Sequence, residues 1–103
     1  MEQIERIEKM EQCLDASEKA IHELSEALSA YETVQLQYRT LSDYYGSDQW
    51  MRDFEDDEAG KLPRDLKRGV LSEDAVYDLI TENRELLVRM LRLVTAALES
   101  DKQ

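Results

Sequence analysis

The chain has 103 residues and a net charge of −11, which together indicate one domain with a strongly acidic surface. Hydrophobic residues make up 42% of it and charged residues 36%, so a core is possible beneath a heavily solvated exterior. The negative charge disfavours direct binding to nucleic acid or to anionic membranes, because the field of the protein repels polyanions. The negative charge is still compatible with binding to a basic partner protein.

Cysteine usage and the N-terminal residues indicate the compartment. The chain has one cysteine, Cys13, and therefore forms no internal disulfide. The first residues, MEQIERIEKMEQ, lack the positive region and apolar core of a signal peptide. No apolar run approaches the ~20 residues that a membrane span needs. We therefore expect a cytoplasmic protein with no membrane partner.

The first predicted element is an amphipathic helix over about residues 2–43, which contain neither glycine nor proline. With heptad position a placed at Ile7, apolar residues recur at positions a, d and g. A stripe this wide is typical of a helical bundle rather than of a two-stranded coiled coil. Its members are Ile7, Met10, Cys13, Leu14, Ala20, Ile21, Leu24, Ala27, Leu28, Tyr31, Val34, Tyr38 and Leu41.

The length of this helix raises two alternatives. Some 40 residues would span about 60 Å, which exceeds the extent of a compact domain of this size. Either the helix breaks near residues 15–17, where Asp15 and Glu18 could form a cap, or its first part overhangs. An overhanging stripe must be buried on something, most economically on a second copy. The second alternative predicts a homodimer formed through Ile4, Ile7, Met10 and Leu14.

A central connection over residues 44–71 contains all three glycines and the only proline, tryptophan and phenylalanine. Ser47 is a favourable N-cap for a short helix that ends near Glu58, and Gly60 can end this helix in the left-handed conformation. An irregular segment then begins at the Leu62–Pro63 pair. Specific recognition often resides in such irregular segments, so functional residues are expected here.

Aromatic residues concentrate in the same region, where six of the seven lie between Tyr38 and Tyr77. The cluster predicts a small core at which three segments meet. If some of its rings were exposed, it would instead form a partner-binding site, because aromatic residues are frequent energetic anchors of interfaces.

Ser72 is predicted to cap the last helix, over about residues 72–99, with Glu73 and Asp74 in the first turn. The sequence therefore predicts an all-α fold, a long antiparallel helical hairpin closed by the central connection. We expect this fold to be bundle-like, to form a single domain over residues 1–103 and to dimerise. Asn83 lies within the apolar stripe of the last helix, where it is either buried to define register or placed at the edge.

Neither a metal site nor a nucleophile–base pair is predicted. Cys13 and His22 are nine residues apart on one helix and point to opposite sides at about 100° per residue. The acidic run over residues 53–58 lacks the spacing and central glycine of a calcium loop. We therefore expect no enzymatic activity, no catalytic residues, no metal and no cofactor.

Charge is segregated within the central connection. Residues 48–58 carry a net charge of −5, and residues 59–71 carry +3. The basic segment could pair internally with the acidic helix. Alternatively, Arg64, Lys67 and Arg68 could form a site for a small anion or carboxylate beside the start of the last helix. The candidate interaction surface comprises Tyr45, Trp50, Arg64, Lys67 and Arg68.

The stretch YYGSDQWMRDFEDDEAGKLPRDLKRGVLSED resembles a family of short, acidic, all-helical bacterial proteins classed only as a domain of unknown function. The resemblance is specific over about residues 38–91, whereas the first helix matches in general pattern. It implies a cytosolic helical protein and transfers no functional residues.

The most favoured function is a non-enzymatic protein-interaction module that forms a homodimer and could bind an unidentified protein partner. One alternative is a small-ligand or anion-binding protein that uses the basic turn over residues 64–68. A second alternative is an acidic inhibitor that mimics nucleic acid.

Overall fold

A computed structural model describes residues 1–101 as four α-helices and one 3-10 turn, with no strand among them. The all-α class is therefore confirmed. Contacts divide the chain into two compact units, which meet between Tyr38 and Arg39. The elements in chain order are α1 (Glu2–Thr33), α2 (Gln35–Tyr44), α3 (Asp48–Glu58), the 3-10 turn (Gly69–Leu71) and α4 (Ala75–Ser100).

α1 is continuous over 32 residues. The alternative of a break near residues 15–17 is therefore wrong, because the helical ladder passes through Asp15 and Ser17 without interruption. No residue of α1 is buried. Ile7, Met10 and Leu14 in the predicted stripe are each about half exposed, at 51%, 53% and 50%. The first unit thus carries an apolar stripe that is open to solvent.

The helix is interrupted instead at Val34, whose φ of −95° and ψ of 3° depart from helical values. Two neighbouring side chains bind carbonyls four residues earlier. Thr33 Oγ1 donates to the Ser29 carbonyl at 2.9 Å, and Gln35 Nε2 donates to the Tyr31 carbonyl at 3.2 Å. A threonine bond of this kind competes with the backbone ladder. It does not by itself end a helix, because Thr95 Oγ1 binds the Leu91 carbonyl in the same way within the continuous α4. The heptad pattern did not reveal the interruption at Val34.

Both ends of α3 form as predicted. At the N-terminal end, Gly46 adopts a positive φ of 80°, which turns the chain after α2. The Ser47 hydroxyl accepts a hydrogen bond from the Trp50 amide at 3.2 Å and donates one to the Tyr44 carbonyl at 2.6 Å. One serine side chain therefore caps α3 and also binds the last carbonyl of α2, which couples the two helices.

At the C-terminal end of α3, Gly60 has a φ of 73°. The Gly60 amide donates to the Asp57 carbonyl and the Lys61 amide donates to the Asp56 carbonyl, both at 3.0 Å. This pair of bonds is a Schellman motif, in which a left-handed glycine satisfies the last carbonyls of the helix. Gly60 therefore directs the chain from α3 into the basic segment.

The start of α4 differs from the prediction. The helix begins at Ala75, and Glu73 and Asp74 form a turn before it. The N-cap is therefore Asp74 rather than the predicted Ser72, and its side chain forms no capping hydrogen bond. Ser72 Oγ accepts a hydrogen bond from the Ala75 amide at 3.1 Å, at the first residue of the helix. The same hydroxyl donates to the Gly69 carbonyl at 2.9 Å, so it also closes the 3-10 turn.

The core of the second unit lies where α3, the 3-10 turn and the start of α4 meet. Its buried residues are Trp50, Leu71 and Val76, which are 7%, 7% and 3% exposed. Tyr45 contacts the Trp50 ring edge-to-face at a centroid distance of 5.3 Å, and Phe54 stacks on it at 5.2 Å. The predicted aromatic core is therefore confirmed for these three rings.

Replacing Trp50 with alanine should lower the free energy of unfolding by about 3–5 kcal/mol, because it removes the largest buried side chain and leaves a cavity. Met51→Ala is the matched control, since Met51 lies on the same helix and is 48% exposed. Its effect should stay within about 0.5 kcal/mol. Urea denaturation followed by circular dichroism measures both. Equal stability of the two variants would contradict a core role for Trp50.

Candidate functional site

Arg68 connects the basic segment to α3. Its Nη1 donates to Asp57 Oδ1, and the two side chains are 35% and 18% exposed. Its Nη2 donates to the Pro63 carbonyl, and its Nε donates to the Leu66 carbonyl at 3.3 Å. All three guanidinium nitrogens therefore bind groups of the same unit. Arg68 holds the loop over residues 63–68 in place.

The remaining basic residues are less engaged. Lys61 Nζ lies 3.8 Å from Asp56 Oδ1, in a pair whose side chains are 70% and 42% exposed. Exposed pairs of this kind contribute about 0–1 kcal/mol. Arg64 and Lys67 are exposed and form no ion pair within residues 1–101. The predicted basic triplet is therefore divided into one structural arginine and two solvated cations.

Tyr44 binds α3 through its hydroxyl, which donates to Asp53 Oδ2 at 2.6 Å. This hydrogen bond raises the pKa of Tyr44 to about 12, with smaller contributions from burial and from the negative charge of Asp53. The cause is that the neutral phenol donates to the carboxylate, whereas a phenolate would repel it. Tyr44 therefore stays neutral and bound throughout the physiological range.

Tyr45 and Trp50 have structural contacts that the sequence did not predict. The Tyr45 hydroxyl donates to the Glu73 carbonyl at 2.9 Å, which ties the end of α2 to the turn before α4. Trp50 Nε1 donates to the Val70 carbonyl at 2.8 Å. Because the Trp50 ring is buried in the core, its assignment to an interaction surface is corrected.

An apolar cleft of about 390 Å³ opens between the end of α2, the 3-10 turn and α4. This volume is within the range of small-molecule sites, which usually add several converging polar groups. Here Lys67 is the one charged lining residue, so the cleft suits an apolar group better than a polar ligand. The residues that line it are Leu41, Lys67, Gly69, Val70, Ala75, Val76 and Leu79.

Other candidate chemistry in the described chain is limited. Residues 1–101 contain no group of three or more His, Cys, Asp or Glu side chains placed to hold a metal ion. His22 Nε2 lies 2.7 Å from Glu26 Oε1 on the exposed face of α1, as expected for a surface histidine. Cys13 is an exposed free thiol. None of the helices within residues 1–101 combines the length and the hydropathy of a membrane span.

The contacts that sequence reasoning missed join residues across turns. In one such contact, Asp53 accepts a hydrogen bond from Tyr44. In another, Asp57 pairs with Arg68. The acidic run predicted only a solvated face, because neighbouring acids have no pattern that distinguishes a paired carboxylate from an exposed one. Asp53 and Asp57 are four residues apart and therefore lie on one face of α3. This spacing is the signal that could have identified them as the paired acids.

The chain belongs to the family described as Domain of unknown function (DUF4298), which matches residues 7–93. The matched range includes most of α1. It therefore extends beyond residues 38–91, over which the sequence resemblance is specific. Comparison with curated proteins and with solved structures gives no match.

Arg68→Ala should destabilise the second unit by about 1–3 kcal/mol, because it leaves Asp57 and two carbonyls without their donor. Lys67→Ala, which removes a neighbouring unpaired cation, is the control and should change stability by no more than about 0.5 kcal/mol. Thermal melting of both variants measures the difference. A parent-like melting temperature for Arg68→Ala would mean that the turn does not depend on this residue.

Tyr44→Phe should lower stability at pH 7 by about 1 kcal/mol through loss of one hydrogen bond. The folded pKa of Tyr44, about 12, is above the unfolded value of ~10. Its contribution is therefore complete below pH 10 and is lost as pH rises from 10 through 12. Urea denaturation at pH 7, 9 and 11 should show the gap between parent and variant shrinking at pH 11. Tyr77→Phe, which alters an exposed ring, is the control; a gap independent of pH would contradict the assignment.

Proposed function

We propose that this chain is a non-enzymatic interaction module that assembles with a second copy of itself through the apolar stripe of α1. The observation that carries the proposal is the imbalance between buried and exposed apolar side chains. The buried hydrophobic core comprises three residues, whereas 22 large hydrophobic side chains of the described chain are exposed. In α1 the exposed apolar side chains recur along one side of the helix rather than singly, and such a surface typically marks an interaction site.

The pattern of exposure supports a helical partner. The exposed residues of α1 include Ile4, Ile7, Met10 and Leu14, which recur at helical spacing on one side. Complete burial of such a side chain contributes about 1.5–3 kcal/mol. These side chains are half exposed, so each has about 1 kcal/mol still to gain.

This estimate also indicates how much surface the assembly needs. Four side chains from each of two copies would contribute about 8 kcal/mol. Association costs about 4–15 kcal/mol in lost translational and rotational freedom. The N-terminal part of α1 is therefore sufficient for weak self-association at most, and a stable dimer requires additional apolar surface.

The alternative functions have less support. An anion site at residues 64–68 would lose its best donor, because the Arg68 guanidinium is occupied by Asp57 and two carbonyls. For a nucleic-acid mimic, the most acidic segment is partly neutralised, because Asp56 and Asp57, two of its six acids, pair with Lys61 and Arg68. The absence of a nucleophile–base pair in the sequence supports a non-enzymatic role.

Sedimentation velocity at micromolar concentration should show a homodimer for the parent chain. Ile7→Lys/Leu14→Lys places two charges in the stripe and should weaken self-association at least tenfold. Gln12→Lys/Ser29→Lys is the matched control, because it adds the same charge on the opposite, exposed side of α1. The control should sediment like the parent. A compact monomer for the parent would contradict the proposal.

A further inference from the structure

The C-terminal half of α4 has a wider apolar face than the N-terminal residues of α1 proposed for self-assembly. Between residues 86 and 98, apolar side chains occupy about 220° of the helix circumference, whereas Ile4, Ile7, Met10 and Leu14 lie within about 120°. A helix that is apolar over half its circumference is typically packed against more than one neighbour. Its exposed members are Leu86, Leu87, Val88, Met90, Leu91, Leu93, Val94 and Leu98.

The two surfaces carry opposite charge. α1 contains nine acids and three bases, for a net charge of −6. Residues 84–98 contain three arginines and one glutamate, for a net charge of +2. The arginines are exposed and form no ion pair within the described chain. Contact between two α1 stripes would bring like charges together, whereas contact between α1 and residues 84–98 brings opposite charges together.

The charges are also placed at the borders of the apolar surfaces. Glu11 and Glu18 are seven residues apart along one border of the α1 stripe. Arg84 and Arg89 flank the narrower surface formed by Leu86, Leu87 and Met90, and Arg84 projects between Leu91 and Val88 of the wider face. Charges at such positions select the partner and its orientation, while the apolar contact supplies most of the affinity.

We infer that α1 of one copy docks on residues 84–98 of a second copy, and that the contact is reciprocal. This inference rests on the proposed self-assembly and identifies the surface that receives α1. The resulting homodimer contains two α1–α4 contacts. The wide face of α4 then has room for a second neighbour, as in a four-helix bundle. The partner is thus a second copy of the chain. The acidic, apolar helix α1 of one copy packs on the basic, apolar residues 84–98 of the other.

Reciprocal charge reversal tests the inference in the full chain. Arg84→Glu/Arg89→Glu and Glu11→Lys/Glu18→Lys should each weaken homodimerisation at least tenfold, because each homodimer would contain two like-charged contacts. An equimolar mixture of the two variants should form a 1:1 heterodimer with parent-like affinity, because both contacts are then complementary. One chain with all four substitutions should again form a homodimer. Sedimentation with one variant fluorescently labelled measures the affinities.

Arg64→Glu/Lys67→Glu is the control, since it makes the same change in net charge at exposed residues of the central connection and should dimerise like the parent. Circular dichroism checks that each variant keeps its helix content. A parent that is monomeric would overturn the proposed self-assembly. A dimeric parent whose Arg84→Glu/Arg89→Glu variant dimerises equally well would overturn only this inference. Loss of dimer in both variants without recovery on mixing would overturn it as well.

Discussion

The second unit depends on the placement of one indole ring. Trp50 is buried between α3 and the 3-10 turn, and its Nε1 donates to the carbonyl of Val70. The indole supplies a large apolar surface, and its one polar atom is satisfied by the backbone that it covers. Leu71 and Val76 complete the core around it. Trp50 is the one buried residue that α3 contributes to this core.

Polar contacts position the segments around this core rather than supply its stability. Ser47 caps α3, Tyr44 binds Asp53, Tyr45 binds the carbonyl of Glu73 and Arg68 binds Asp57. Most are partly exposed, so each contributes only about 1 kcal/mol. Together they determine the path of the chain between α2 and α4. Part of the conspicuous charge of the central connection is therefore structural.

The apolar residues of α1 and of the second half of α4 contrast with those of this core, because they are exposed. These helices have regular backbones and exposed apolar side chains, and no residue of α1 is buried. Their helicity cannot be attributed to a buried face within the described structure, although burial of such a face is the usual source of helix stability in proteins. The proposed assembly with a second copy would provide this burial for both helices.

Local patterns in the sequence determined the all-α class, the Ser47 cap, the left-handed Gly60 and the aromatic core, because each depends on residues within a few positions of one another. Local patterns did not predict the contacts of the candidate site. The interruption at Val34, the burial of Trp50 beneath Val70 and the pairing of Arg68 with Asp57 depend on which groups meet in space. Charge segregation predicted that acids and bases could pair, but one composition allows several pairings. Tertiary structure alone selected Arg68 and left Arg64 and Lys67 solvated, because backbone direction after Gly60 decides which cation reaches α3.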